Sequence, residues 1–276
     1  MKIGFNLLLI PFLSLIVISC GGKKNLPEQT ENQQATIDVA ESNPAADGFN
    51  EQASDTKAIA LADSVMNAMG GRESWDKTRY IAWNFFGSRK LIWDKFTGNV
   101  RVENVENDFK VLVNVHTLEG KVFKNGEELS QPDSLKKYLT RGKNIWINDS
   151  YWLVMPFKLK DSGVTLKYLS EDTVMDVPSH VLQLTFEEVG VTPENKYLVS
   201  VDKNTNLVNQ WAFYRKIDDE EPGFTLPWQD YKKHGDILLS GNRGVRELSE
   251  IKVFEELPES VFTELAEVDL SKYKAL

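Results

Sequence analysis

The sequence predicts a mainly β (α+β) domain of about ten or eleven short antiparallel strands with a few helices. Two observations carry this. From residue 80 onward, apolar and polar residues alternate with period two in short runs, separated by turn-forming pairs such as Thr97-Gly98 and Asn125-Gly126. No stretch of linker composition follows Asp55, so residues 56–276 read as one continuous sheet-forming domain and not as two.

The first element of that domain is a helix over 56–69. Ile59, Ala62, Val65, Met66 and Met69 share one face at helical spacing, and Gly70-Gly71 supplies a left-handed stop. A short turn at 73–77 is anchored by Trp75. Strands are then expected at 80–86, 89–94, 100–105, 109–116 and 121–124. Phe109, Val111, Val113 and Val115 share one face, and Ile81, Trp83 and Phe85 another, as in a meander with one buried face. Between 131 and 152 the pattern turns helical. Pro132 suits a first helical position, Arg141-Gly142 is expected to break the helix, and a second turn rich in aromatics ends at Pro156. Strands resume at 164–169, 181–187, 196–202, 207–216, 237–243 and 251–254, with Asn204-Thr205-Asn206 closing the tightest hairpin.

The N-terminus reads differently. Lys2 precedes an apolar run over 3–18, marginal for a membrane crossing, which takes ~20 apolar residues, and better suited to a signal peptide of residues 1–19. The run ends in Val17-Ile18-Ser19-Cys20, and Cys20 is the sole cysteine of the chain. This tetrad resembles the lipobox of bacterial lipoproteins. The resemblance implies cleavage after Ser19, lipid on the Cys20 thiol and acylation of the new amino group. An ordinary signal peptide or anchor helix that happens to hold a cysteine is the alternative. Gly21 stands where inner-membrane lipoproteins of enterobacteria carry Asp, which by analogy implies a lipid-anchored protein sorted to an outer membrane; the face is left open, with the periplasm expected because Gly21-Gly22-Lys23-Lys24 is not an obviously acidic surface-export signal. The rest of residues 20–55, rich in Gln, Asn, Glu, Ala and Pro without period, is expected to be a flexible tether, with a short docked arm as the alternative.

Charge and chemistry narrow the function classes. With 32 basic and 41 acidic residues the formal net charge is −9, and no basic block offsets it, which argues against nucleic-acid backbone binding. One cysteine excludes an intrachain disulfide framework and any multi-cysteine metal site. The three histidines, His116, His180 and His234, stand far apart, and no G-x-S-x-G, H-E-x-x-H or phosphate-binding glycine loop occurs. Asp202, Asn204 and Asn206 have the spacing of half a calcium loop, but Leu207 stands where the glycine belongs. The acidic run at 218–221 reads as a solvated loop. No enzyme, catalytic residue, metal or cofactor is therefore expected. What remains is aromatic loading: 7 Trp, 14 Phe and 8 Tyr. Core filling is the plainer account, and a large apolar cavity the sharper one.

The stretches LADSVMNAMGGRESWDKTRYIAWNF, KLIWDKFTGNVRVE and NDSYWLVMPFKLKDSGVTLKYL resemble an uncharacterised family of bacterial envelope lipoproteins, similar in layout to the LolA/LolB lipoprotein-carrier fold (outer membrane lipoprotein-sorting proteins). The likeness covers about residues 56–262. It implies a curved, unclosed antiparallel β-barrel wrapped around a helical plug, with an apolar interior that in such carriers holds acyl chains. Inward alternation then nominates Trp83, Phe85, Val113, Leu184 and Trp211 as cavity lining, with Trp152 and Met155 on a helix acting as a lid. The expected function is a lipoprotein, membrane-bound through Cys20, that binds or transfers an acyl chain or another apolar ligand, with acyl-chain or lipoprotein cargo as its partner. The alternative is a structural or interaction lipoprotein of the envelope with a filled core, its protein partner docking on an exposed strand edge.

Overall fold

The computed structural model describes residues 43–106, 108–187 and 193–276. The expected signal peptide and Cys20 lie outside the described residues. Within them, fourteen strands form two antiparallel sheets, neither closed on itself. Six strands come first: β1 (Tyr80–Phe85), β2 (Arg89–Asp94), β3 (Asn99–Asn104), β4 (Phe109–Asn114), β5 (Gly120–Lys124) and β6 (Glu127–Glu128). Eight more follow the long helix: β7 (Val164–Val174), β8 (Val177–Phe186), β9 (Lys196–Asp202), β10 (Val208–Tyr214), β11 (Phe224–Pro227), β12 (Gln229–His234), β13 (Ile237–Arg243) and β14 (Arg246–Phe254). The nine-stranded sheet has the order β12-β13-β14-β1-β2-β3-β4-β5-β6, and the five-stranded sheet β11-β10-β9-β8-β7.

One continuous sheet was expected. Instead the chain turns a corner at Trp228, the single residue between β11, which pairs with β10, and β12, which pairs with β13. A strand that changes sheets in this way lets two sheets share one core. Neither β11 nor β12 was legible, because Gln229–His234 carries exposed or half-buried side chains throughout and shows no apolar alternation.

Helix α1 (Thr56–Ala68) and the short α2 (Arg72–Lys77) lie where helical spacing placed them, though the fully buried face of α1 runs through Ala58, Leu61, Val65 and Met66, with Ile59 at its margin. Helix α3 differs from expectation. It runs unbroken over 23 residues, Pro132–Val154, straight through Arg141-Gly142. A Cβ on Gly142 would come within 2.6 Å of Val111 Cγ1 and 3.4 Å of Val113 Cγ1. The missing side chain thus lets α3 lie close on β4; it does not end the helix. Arg89 of β2 holds the other half of α3 through a bidentate pair with Asp149, at 2.7 and 3.0 Å. Burial pushes the Asp149 carboxyl above its ordinary value, outweighing the Arg89 and Asn148 hydrogen bonds that pull it down.

The folded part begins earlier than Thr56. Ala46 N–H donates to Lys160 O, Asn50 N–H to Val164 O and Asp55 N–H to Leu166 O, so residues 43–55 form a docked arm along the start of β7. Asn43, Asp63 and Lys160 close its end in a buried cluster. At the other terminus, residues 255–276 cover the outer face of the large sheet. Tyr80, Ala82 and Ile92 pack there against Phe254, Leu257 and Val261, so β1 is buried on both faces instead of the expected one. Arg101, wholly buried in β3, donates to the carbonyls of Val261, Glu264 and Ala266 and ties that segment down.

Two histidines give the fold a pH dependence. His180 Nδ1 lies 3.1 Å from the Tyr168 hydroxyl, faced by Glu171, Lys203 and Lys57, and burial with the neighbouring lysines holds the imidazole below its ordinary value. His234 is likewise held down, by burial and by Lys232. As pH falls, the unfolded chain takes up these protons first, so the contribution is complete above the ordinary imidazole value and lost as pH drops through the depressed ones. Urea midpoints measured from about pH 7.5 to 5.5 should fall for the natural chain. They should fall less steeply for His180→Asn/His234→Asn; equal slopes would show that neither imidazole contributes.

Candidate functional site

The C-terminal half of α3 faces the five-stranded sheet across a half-open cavity of about 320 Å³. Six aromatic residues stand in its wall: Trp93 from β2, Trp146, Tyr151 and Trp152 from α3, Phe186 from the end of β8 and Tyr197 from β9. Their placement follows from local structure. Positions 147, 148 and 151 share the helix face that looks onto the cavity, with 146, 150 and 152 flanking it. Tyr197 of β9 pairs with Leu184 of β8, and Phe186 stands two residues further along β8, on the same face, opposite Val164 of β7.

The rings brace one another. Trp93 meets Trp146 edge to face with centroids 5.3 Å apart, and Phe186 meets Tyr197 the same way at 5.7 Å. Tyr151 leans on Tyr197 at 5.5 Å. A second layer backs the wall: Trp211 stacks on Tyr197 at 5.4 Å and meets Trp152 edge-on at 4.7 Å. Such interlocked rings hold fixed faces and edges toward the void. Burial pushes the hydroxyls of Tyr151 and Tyr197 well above the ordinary tyrosine range, so both stay neutral.

Polar groups share the lining with the rings. Asn195 is buried and donates from Nδ2 to Arg215 O at 2.7 Å, which leaves its side-chain carbonyl as an acceptor. Lys158 and Asp161 pair with each other beside it. Asn148 and Ser150 complete the set. Trp146 Nε1 and the Tyr151 hydroxyl are buried with no hydrogen-bond partner among the described residues.

Of the residues nominated from sequence, only Trp152 lies on this wall. Trp83, Phe85, Val113, Met155, Leu184 and Trp211 are packed into the main core, each no more than 5% exposed. Period-two alternation identified the face of the sheet that is buried, and packing fills most of that face. Nor does the end of α3 form a lid: Leu153, Val154 and Met155 are buried at the centre of the core, and the chain continues into a 3-10 turn, Met155–Lys158. The wall aromatics missed were Trp93, Trp146, Tyr151, Phe186 and Tyr197. The cluster of aromatics in the second half of α3 was the one signal, and it pointed only to Trp146 and Tyr151.

The other candidate motifs are spent on their own turns. Asp202 accepts from the Asn204 N–H at 2.8 Å and the Thr205 hydroxyl at 2.9 Å, which makes an Asx turn. Among the described residues no three His, Cys, Asp or Glu side chains gather as a metal site, and no helix is long and apolar enough to cross a membrane.

No known family matches the chain, and no curated protein does. Among solved structures it is similar to a DUF1329 family protein from Desulfovibrio piger, at 12% identity and TM-score 0.43, over 75% of this chain and 97% of that one. It is also similar to a putative outer membrane lipoprotein-sorting protein domain from Vibrio parahaemolyticus, at 12% identity and TM-score 0.36, over 75% and 96% of the two chains. A third is the LolA superfamily protein NE2245 from Nitrosomonas europaea, at 13% identity and TM-score 0.37, over 74% and 97%. Likeness at this level says nothing of a ligand.

Proposed function

We propose that this chain is a binding module that holds one small, largely apolar molecule, an acyl-chain segment or a ring system, between α3 and the five-stranded sheet. The observation that supports this reading is the cavity itself. A half-open cavity of about 320 Å³ with aromatic walls stands beside the packed core, and it falls at the lower end of the ~300–1,000 Å³ typical of small-molecule sites. The volume suits a single chain or ring and is too small for the several acyl chains of a lipoprotein. Apolar burial at ~25 cal/mol per Å² would drive binding, less the cost of ordering the ligand. A lipid on Cys20 would hold the module at the periplasmic face of an outer membrane, and no catalytic step is part of the reading.

Native mass spectrometry of the full chain released from non-denaturing detergent, with solvent extraction of the same sample, tests it. A co-purified small molecule at one per chain is expected. A clean apo mass, together with no uptake of either a fluorescent fatty acid or an aromatic dye, would overturn the reading in favour of an interaction protein.

A further inference from the structure

We infer that the ligand is a flat aromatic or heteroaromatic molecule with polar atoms at its edge, and not an acyl chain. The inference rests on the binding-module reading and carries it to a ligand class.

Two features of the wall point the same way. First, its apolar surface is ring and not aliphatic. Six aromatic residues line the void, against Ile147 and Val164 as the only branched aliphatics. A saturated chain gains only area burial from such walls, whereas a planar π-system also meets the faces and polarised edges of rings held at fixed angles, worth about two- to tenfold in affinity per well-placed pair. The rings are fixed in advance, since Trp93–Trp146, Phe186–Tyr197 and Trp152–Trp211 each interlock edge to face. A rigid planar guest therefore loses little freedom on entry, while a flexible chain must freeze its torsions.

Second, two buried polar side chains, Ser150 and Asn195, stand in the same wall as the rings. An acyl chain would cover them and return no hydrogen bond, which is the costly way to bury a polar group. A ring carrying oxygen or nitrogen at its edge can meet them.

A matched pair of probes separates the classes: 2-naphthoate and undecanoate have the same number of carbons and the same carboxylate, and differ in being a flat ring or a flexible chain. Isothermal titration of the full chain should show 2-naphthoate binding at least about tenfold more tightly than undecanoate. Trp146→Leu should cost 2-naphthoate about tenfold and leave undecanoate nearly unchanged. Phe186→Leu, at the end of a strand, serves as the second variant should Trp146→Leu fold poorly. Equal or tighter binding of undecanoate would overturn the inference while leaving the binding module standing. Binding of neither probe, in a chain that also yields a clean apo mass, would overturn both.

Discussion

Trp211→Ala is expected to lower the unfolding free energy by about 3–5 kcal/mol, the range for truncating a large buried aromatic. The magnitude follows from how little can move to fill the space. Trp211 is 1% exposed and stands at the meeting point of four elements. It stacks on Tyr197 of β9, and touches Trp152 of α3, Phe224 of β11 and Trp228 at the corner between the sheets with centroids 4.7–5.5 Å away. Each of those rings is held by its own strand or helix, so none can slide inward far enough to close the void. The new void would adjoin the aromatic-walled cavity, whose Tyr197 and Trp152 walls lose their backing. Urea denaturation should therefore show the drop in stability, and ligand titration on the still-folded variant should show weaker binding. Trp211→Phe keeps a ring against Tyr197 and should cost less than half as much. A loss below about 1 kcal/mol for Trp211→Ala would mean the second layer is loosely packed and the cavity wall not preorganised.

Gly142→Leu is expected to be comparably damaging, by overpacking. At this position helix propensity and packing oppose one another. Any side chain improves an internal glycine of a helix by up to ~1 kcal/mol. Against that, the first added carbon already lies 2.6 Å from Val111 Cγ1 and 3.2 Å from Val111 Cβ. Val111 is fully buried in β4 between β3 and β5 and has no free space to rotate into. The helix must back away, which strains the Arg89–Asp149 pair and the packing of Leu139 and Leu153. Overpacking of this kind costs about 1–3 kcal/mol per site and more for a bulky group, so a net loss of about 3 kcal/mol is expected for Leu and about 1 kcal/mol for Gly142→Ala. A thermal or urea melt measures both. An unchanged or raised midpoint for Gly142→Leu would show that α3 does not lie on β4 as described.

These two positions also mark how far the sequence could be read. Turns with glycine in the left-handed region were legible: Asn125-Gly126 closes β5 and β6 with φ of +53° and +85°, as its chemistry predicts. The β7–β8 hairpin was not, because its turn residues Met175 and Asp176 take up φ of +51° and +63° without any glycine to announce it. Gly142 was read as a breaker because local sequence shows a missing side chain and not the strand that needs it missing. The mainly β class, the short N-terminal helices and the aromatic character of the interior all followed from period and composition. The cavity did not. Trp83 and Trp146 are the same residue type in equally apolar surroundings, and only the relative position of α3 and the five-stranded sheet decides which one packs solid and which one borders empty space.

The central claim is that a ligand enters between α3 and the five-stranded sheet. The chain's seven tryptophans allow it to be tested residue by residue, since each contributes one indole N–H resonance. Those resonances, assigned by single Trp→Phe variants, would be followed while 2-naphthoate is titrated into the labelled full chain. The account predicts saturable shifts for Trp93, Trp146 and Trp152, which line the cavity, and little change at Trp83, which is buried in the core away from it. Saturable shifts at other tryptophans, with those three unmoved, would place the binding site elsewhere and contradict it.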